Sequence, residues 1–215
     1  MNRKRLLIST SVAFVAVFAV AAVMYRGAGE DAKQAQSRRA LLERPHAPGK
    51  GSRSAKVNIV EFLDPACGTC RDFHPIVRQM VEDNPGRIRV TVRYAPFHPN
   101  SDYVVKVIEA ARMQGKWQQA LEALFASQAS WSPNHAPRPD LVWSYLGGLG
   151  LDLERVRTDM KSPEIAQHLA QDLADAKALN VTQTPEFFVN GRAMPSFGRA
   201  QLEALVRDAL KESYP

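Results

Sequence analysis

One short stretch constrains this chain more than any other. VNIVEFLDPACGTCRDFHP, residues 57–75, runs from an apolar segment into both of the chain's cysteines and on into a helical pattern. Cys67 follows the end of the apolar run by four residues, and Cys70 follows three residues later in a C-x-x-C spacing. A chain of 215 residues can bury a core without disulfide staples. A disulfide closing so small a loop would add little stability. The pair therefore needs a chemical explanation, and C-x-x-C between a strand and a helix start is a redox signature. At a helix N-terminus, unpaired N–H groups and the positive end of the helix dipole favour thiolate over thiol at Cys67. Three residues on, Cys70 lies on the same face and within disulfide reach. Cys67 is expected to form a mixed disulfide and Cys70 to resolve it. The rival explanation is half of a zinc site. Structural zinc wants four ligands, whereas the five histidines are scattered and none stands in an H-x₃₋₅-H spacing. No metal and no cofactor are expected.

The rest of the chain places that motif. VNIVEFL reads as a strand and RIRVTVRY, residues 87–94, as a second. The intervening helix should run from Cys67 towards Asp83, stop at Asn84-Pro85-Gly86, and kink at Pro75. Helical spacing covers 102–114, 117–127, 141–147, 153–160 and 163–179, with a Pro-rich loop at SWSPNHAPRP. EFFVNGR, 186–192, gives a strand and an Asn190-Gly191 turn. A short partner strand at Ala193–Met194 and a last helix, Arg199–Glu212, follow. The order is a βαβ unit and a ββα unit with helices inserted between them. Trp117, Trp131 and Trp143, with Phe125 and Tyr145, are expected in the core of the inserted helices.

The N-terminus reads differently. Arg3, Lys4 and Arg5 precede 20 uncharged residues, Leu6–Tyr25, the length that spans a bilayer core. A signal anchor over 1–26 is favoured over a cleaved signal peptide, although Ala19-Val20-Ala21 would allow cleavage. No cysteine follows the apolar run, which excludes a lipoprotein anchor. With the basic cluster held on the cytoplasmic side, the remainder is exported. Residues 27–54 read as a polar linker, with a short helix around Gln34–Glu43 and with Leu41 and Leu42 docking on the folded body. Charge follows this division. Residues 1–55 hold ten Lys/Arg against three Asp/Glu, while residues 56–215 hold 18 against 19. The net charge of +6 thus belongs to the N-terminal arm, and nucleic-acid binding is excluded for lack of a basic folded face.

FLDPACGTC with its later proline, YAPFHPNS, EAARMQGKWQQALEALF and NVTQTPEFFVNGR together resemble the DsbA-like branch of the thioredoxin superfamily, over roughly residues 55–212. The resemblance implies an α/β thioredoxin fold, residues 55–97 and 179–215, with an inserted helical domain, residues 98–178. It implies thiol–disulfide exchange with exported proteins through a Cys67–Cys70 redox pair. Thr184-Pro185 matches the family's cis-proline site, which faces the cysteines and offers the Thr184 backbone to an extended substrate strand. Glu61 lies six residues before Cys67, where the superfamily often keeps a buried acid. On an apolar strand its pKa should rise, and it could relay a proton to or from Cys70. Pro75 matches the family's helix-kinking proline. Gly68-Thr69 departs from the Pro-His of the best-known oxidant. A histidine there favours the thiolate, so its loss predicts a less oxidising protein. His74, at i+4 from Cys70, is expected to face solvent, and His98 to be a loop residue. Pro65, Phe97 and Phe197 could line an apolar groove.

These readings combine into a single-pass inner-membrane protein, or a periplasmic one if the signal is cleaved, with its catalytic domain in the periplasm. Its partners would be exported protein thiols and disulfides and a membrane redox partner, and the chain would be a monomer. The alternatives are a reductase or isomerase direction, or a non-redox chaperone-like binding module on the same scaffold.

Overall fold

The computed structural model describes residue 33 and residues 36–215. The expected membrane segment, Leu6–Tyr25, and the first part of the linker lie outside the described residues. Among the described residues no helix is long and apolar enough to cross a membrane. The chain divides into two units, residues 1–40 and 41–215. In the first, residues 36–40 are helical. The second holds the rest of the fold.

A five-stranded mixed sheet organises this unit. Its strands are β1 (Gly49–Gly51), β2 (Val57–Leu63), β3 (Ile88–Tyr94), β4 (Glu186–Val189) and β5 (Arg192–Ala193), in the order β1-β3-β2-β4-β5. All seven residues of β2 are buried. An almost continuous apolar run suits a strand covered on both faces, and β2 is the central one. It pairs parallel with β3 and antiparallel with β4. Helix α1 (Gly68–Asp83) makes the crossover between β2 and β3, with Pro75 inside it. It buries Cys70, Phe73, Val77 and Val81. After β5, helix α7 (Arg199–Ser213) closes the chain. Asn190 (φ 48°) and Gly191 (φ 83°) take the two left-handed positions of the β4–β5 turn, as a two-residue hairpin requires.

Between β3 and β4 lie α2 (Ser101–Met113), α3 (Trp117–Ala126), α4 (Gln128–Trp131), α5 (Leu153–Asp159) and α6 (Pro163–Ala178). Two 3₁₀ segments, Pro133–His135 and Pro139–Tyr145, replace the expected Pro-rich loop and the expected helix over 141–147. Pro133 and Pro139 open these turns, where a missing N–H costs nothing, and so set short segments rather than one helix. Trp117 and Trp131 are buried, and Trp143 packs against the same cluster. That cluster joins Val104, Ile108, Leu121 and Leu124 of the insert to Leu63, Ala66, Cys67 and Cys70. The cysteines therefore stand on the seam between sheet and insert.

Strand β1 is a correction to the spacer reading. GKG offers no apolar run to betray a strand. Its backbone nonetheless pairs antiparallel with β3, Gly49 opposite Thr91. Gly49 lies so close to β3 that a Cβ there would overlap the Val90 carbonyl oxygen. The preceding segment docks as expected. Leu42 is buried with Val60, Phe62 and Phe188. Arg93 of β3, wholly buried, donates to the carbonyl oxygens of Leu41 and Leu42 and to Asp172 and Asp175 of α6. Arg44 adds a two-pronged contact with Asp175, both bonds 2.7 Å. This strap of residues is thus fastened by a buried ionic network.

Candidate active site

Strand β2 ends at Leu63, and Asp64-Pro65-Ala66 turn the chain into α1. Cys67 is the residue before the helix, with extended backbone (φ −76°, ψ 120°), and Gly68 is its first helical residue. The expected helix start is therefore in place. Cys67 and Cys70 are both free thiols and both buried.

The sulfurs differ sharply in acidity. The Cys67 thiol is held down to about 5, first by a hydrogen bond with the Cys70 side chain. The backbone N–H groups of Cys70 and Thr69 and the Thr184 side chain add to this, against the opposing effect of burial. Burial pushes the Cys70 thiol well above its ordinary value, and its hydrogen bond with the Cys67 side chain and the negative charge there push it further. The pair therefore shares one proton at neutral pH, with the anion at Cys67. As a thiol, Cys67 donates to the Thr184 carbonyl oxygen at 3.2 Å. That contact belongs to the protonated form alone, because a carbonyl gives nothing to an anion. The thiolate is held instead by the N–H groups of the first helical turn.

Thr184-Pro185 is a cis peptide, and the Thr184 contact brings it against Cys67. Glu61 sits on β2 opposite Val92 and Phe187 and is 1% exposed. One of its carboxyl oxygens has no hydrogen-bond partner. Burial, then the negative charge at Cys67, push its carboxyl up to about 8, so it is a neutral acid at pH 7. All five residues singled out from the sequence thus gather around one point: Cys67, Cys70, Glu61, Thr184 and Pro185. Among the described residues no group of three or more His, Cys, Asp or Glu side chains could hold a metal ion.

His74 departs from expectation. Its ring packs on Phe125 with centroids 5.2 Å apart, and Nε2 lies 3.8 Å from Glu122. Helix α3 covers this face of α1, so the ring is mostly buried and its pKa is lowered by burial. His98 is a loop residue, as expected, but not an idle one. Its Nδ1 lies 2.7 Å from Asp64. Two positioning residues escaped sequence reasoning. Buried Asp64 accepts from Ala66 N, His98 N and Ser101 Oγ as well as from the His98 ring. Gln128 donates from Nε2 to the carbonyl oxygens of Pro65 (2.8 Å) and Cys67 (3.0 Å). Its partners lie more than 60 residues away in the chain, beyond the reach of any local pattern.

Residues 44–208 match the family described as Thioredoxin. A solved thioredoxin-like oxidoreductase from Silicibacter pomeroyi DSS-3 is 32% identical, with a TM-score of 0.69, covering 80% of this chain and 96% of that one. Wolbachia pipientis alpha-DsbA1 shares the fold at 17% identity, with a TM-score of 0.70, covering 82% of this chain and 97% of that one. Among curated relatives, a Na(+)/H(+) antiporter NhaA of Herminiimonas arsenicoxydans is 31% identical over 158 residues, 72% of this chain. This chain spans only 24% of that relative's length. With a profile match over most of its length, and a solved thioredoxin-like oxidoreductase similar to it along 80% of this chain and 96% of that one, the chain belongs to the thioredoxin family.

Proposed function

We propose that the chain donates its Cys67–Cys70 disulfide to exported proteins in the periplasm, tethered to the inner membrane by Leu6–Tyr25. One observation carries the direction of electron flow. The fold holds Cys67 as a thiolate, with its pKa near 5, and keeps Cys70 neutral. Stabilising the thiolate stabilises the reduced pair, and a stabilised reduced form makes a stronger oxidant. The Gly68-Thr69 pair, which predicts a weaker oxidant, points the other way.

The steps balance as follows. A substrate thiolate attacks Sγ of Cys67, the Cys67–Cys70 bond breaks, and Cys70 leaves as a thiolate. Glu61, neutral at pH 7, gives Cys70 a proton and recovers one from solvent. A second substrate thiolate attacks the substrate sulfur of the mixed disulfide, and Cys67 departs as a low-pKa leaving group. The substrate loses two electrons and the cysteine pair gains them. Thr184, before Pro185, offers its backbone to the substrate strand. Phe97 (44% exposed) and Phe197 (45% exposed) offer apolar surface for unfolded chains. A membrane redox partner would reoxidise the pair, and the chain would act as a monomer. The membrane setting draws support from the 20 uncharged N-terminal residues and from the relatives, which are longer chains named as Na(+)/H(+) antiporters.

The test is the equilibrium of the cysteine pair with glutathione, together with oxidation of reduced, unfolded ribonuclease. A potential nearer to about −120 mV than to about −270 mV, and ribonuclease regaining activity with one disulfide transferred per chain, are expected. A potential near the lower value would favour the reductase or isomerase direction. A Cys67→Ser protein that still promotes folding would favour the binding module.

A further inference from the structure

Away from the cysteines, the inserted helices form a cavity of about 460 Å³ between α2, the 3₁₀ segment Pro139–Tyr145, α5 and the start of α6. That volume suits a small organic molecule. Tyr103, Trp143, Met160 and Ala166 give it apolar walls. Its charged lining residues are all cations, Lys106, Arg157 and Lys161, and no carboxylate lines it. Two of these cations are already positioned. The Arg157 guanidinium lies over the Trp143 ring, 4.3 Å from its centroid, and bonds through Nη1 to Glu154 at 2.7 Å. Lys106 reaches Asp102, one turn earlier on α2, also at 2.7 Å. Pairs with such solvated carboxylates contribute little, so neither cation is lost to a better anion. The third is uncommitted: among the described residues the Lys161 ammonium makes no hydrogen bond or ion pair. The Tyr103 hydroxyl accepts from Trp143 Nε1 at 3.2 Å. Among the described residues it donates to no acceptor, which leaves its hydrogen for a ligand. Packing accounts for the aromatic rings but not for three cations around an apolar hollow.

These features select the occupant. A metal ion or an amine would be repelled. A neutral apolar molecule would strip water from the cations and return no charge. A compact anion such as phosphate would lose hydration and gain nothing from the aromatic and thioether walls. An anionic group on a flat apolar body meets both demands, and the fork of an arginine matches a carboxylate. We propose that this cavity is a binding site for a small aromatic carboxylate, its ring against Trp143 and Met160 and its charge met by Arg157, Lys161 and the Tyr103 hydroxyl. None of Cys67, Cys70, Glu61, Thr184 and Pro185 lines the cavity. The site is therefore independent of the disulfide-exchange reading and of the direction of electron flow.

The full chain in a nonionic detergent is titrated with 1-naphthoate near neutral pH, followed by calorimetry with protein-free micelles as the blank. Saturable binding of one naphthoate per chain is expected. 1-Naphthalenemethanol keeps the ring without the charge, and inorganic phosphate keeps charge without the ring. Each should bind at least about tenfold more weakly. Arg157→Gln and Lys161→Gln should each weaken naphthoate about fivefold. Lys161 is exposed and has no polar partner to lose, so its variant reads the site without disturbing the fold. Ala166→Phe, at an exposed position of α6, should fill the hollow and abolish binding. A wild-type chain without saturable naphthoate binding would overturn the proposal. So would binding that all three variants retain, because the ligand would then lie elsewhere. Binding of 1-naphthalenemethanol or of phosphate as tight as that of naphthoate would equally overturn it, by removing the need for the charge or for the ring.

Discussion

Glu61 is the residue of β2 whose burial costs most. An unpartnered carboxyl in an apolar strand is stable only as the neutral acid. Its pKa is raised to about 8 from the ordinary 4.5. Between those values the folded chain keeps a proton that the unfolded chain has lost. Stability therefore falls as pH rises through that window and levels off above it. Glu61→Leu in the reduced protein should be more stable than wild type by about 5 kcal/mol near pH 9 and differ little near pH 4, measured by urea unfolding. The same variant should reduce slowly, because Cys70 would lose its proton donor. The thiolate at Cys67 helps to hold Glu61 protonated. Forming the disulfide removes that charge, so the carboxyl should titrate at lower pH in the oxidised protein, which carboxyl ¹³C shifts would register. The apolar neighbours of Glu61 made this legible from the sequence. Asp64 was not legible. Two of its partners, His98 and Ser101, stand 34 and 37 residues away, and no local pattern links them.

Strand β3 and helix α6 hold the strap of residues 41–48 through Arg93. The guanidinium has no exposed surface and faces two nearly buried carboxylates, Asp172 and Asp175. Such a network adds little net stability when whole, but removing one member leaves charges stranded. Arg93→Leu should destabilise the fold by about 3–5 kcal/mol in urea unfolding. It should also open the strap to protease before the rest of the chain unfolds. A variant with native stability and an intact strap would show that the network is not what fastens it. The long elements were readable because their apolar spacing is strong: β2, α1, β3, α2, α3, α5 and α6 fall within a residue or two of their expected bounds, whereas the single turn α4 was not expected. Strand β1 was not, because Gly49 and Gly51 are there to allow backbone approach to β3 and carry no hydrophobic signal. The 3₁₀ turns around Pro133 and Pro139 were missed for a related reason. Proline marks where a helix cannot continue, and it does not say that a tight turn follows.

At the scale of the whole unit, one core cluster joins the insert to β2, β3 and the start of α1, and the cysteines lie in it. The insert is therefore not a separate folding body, and its damage should reach the sulfurs. Trp131 is wholly buried and donates from Nε1 to the Leu124 carbonyl at 2.7 Å. Trp131→Ala should cost about 3–5 kcal/mol, with the loss appearing in a single transition seen alike by fluorescence and by the reactivity of Cys70. A fold that stabilises the thiolate must also be stabilised by it. The reduced protein should therefore melt above the oxidised one, in contrast to a structural disulfide. All of this depends on one charge. The absorbance of the reduced protein near 240 nm, followed against pH, reads that charge directly. The fold described here predicts one thiolate appearing with a midpoint of about 5. It predicts no second thiolate until well above the ordinary thiol range. Two thiolates rising together near pH 9, or none present at pH 7, would contradict it.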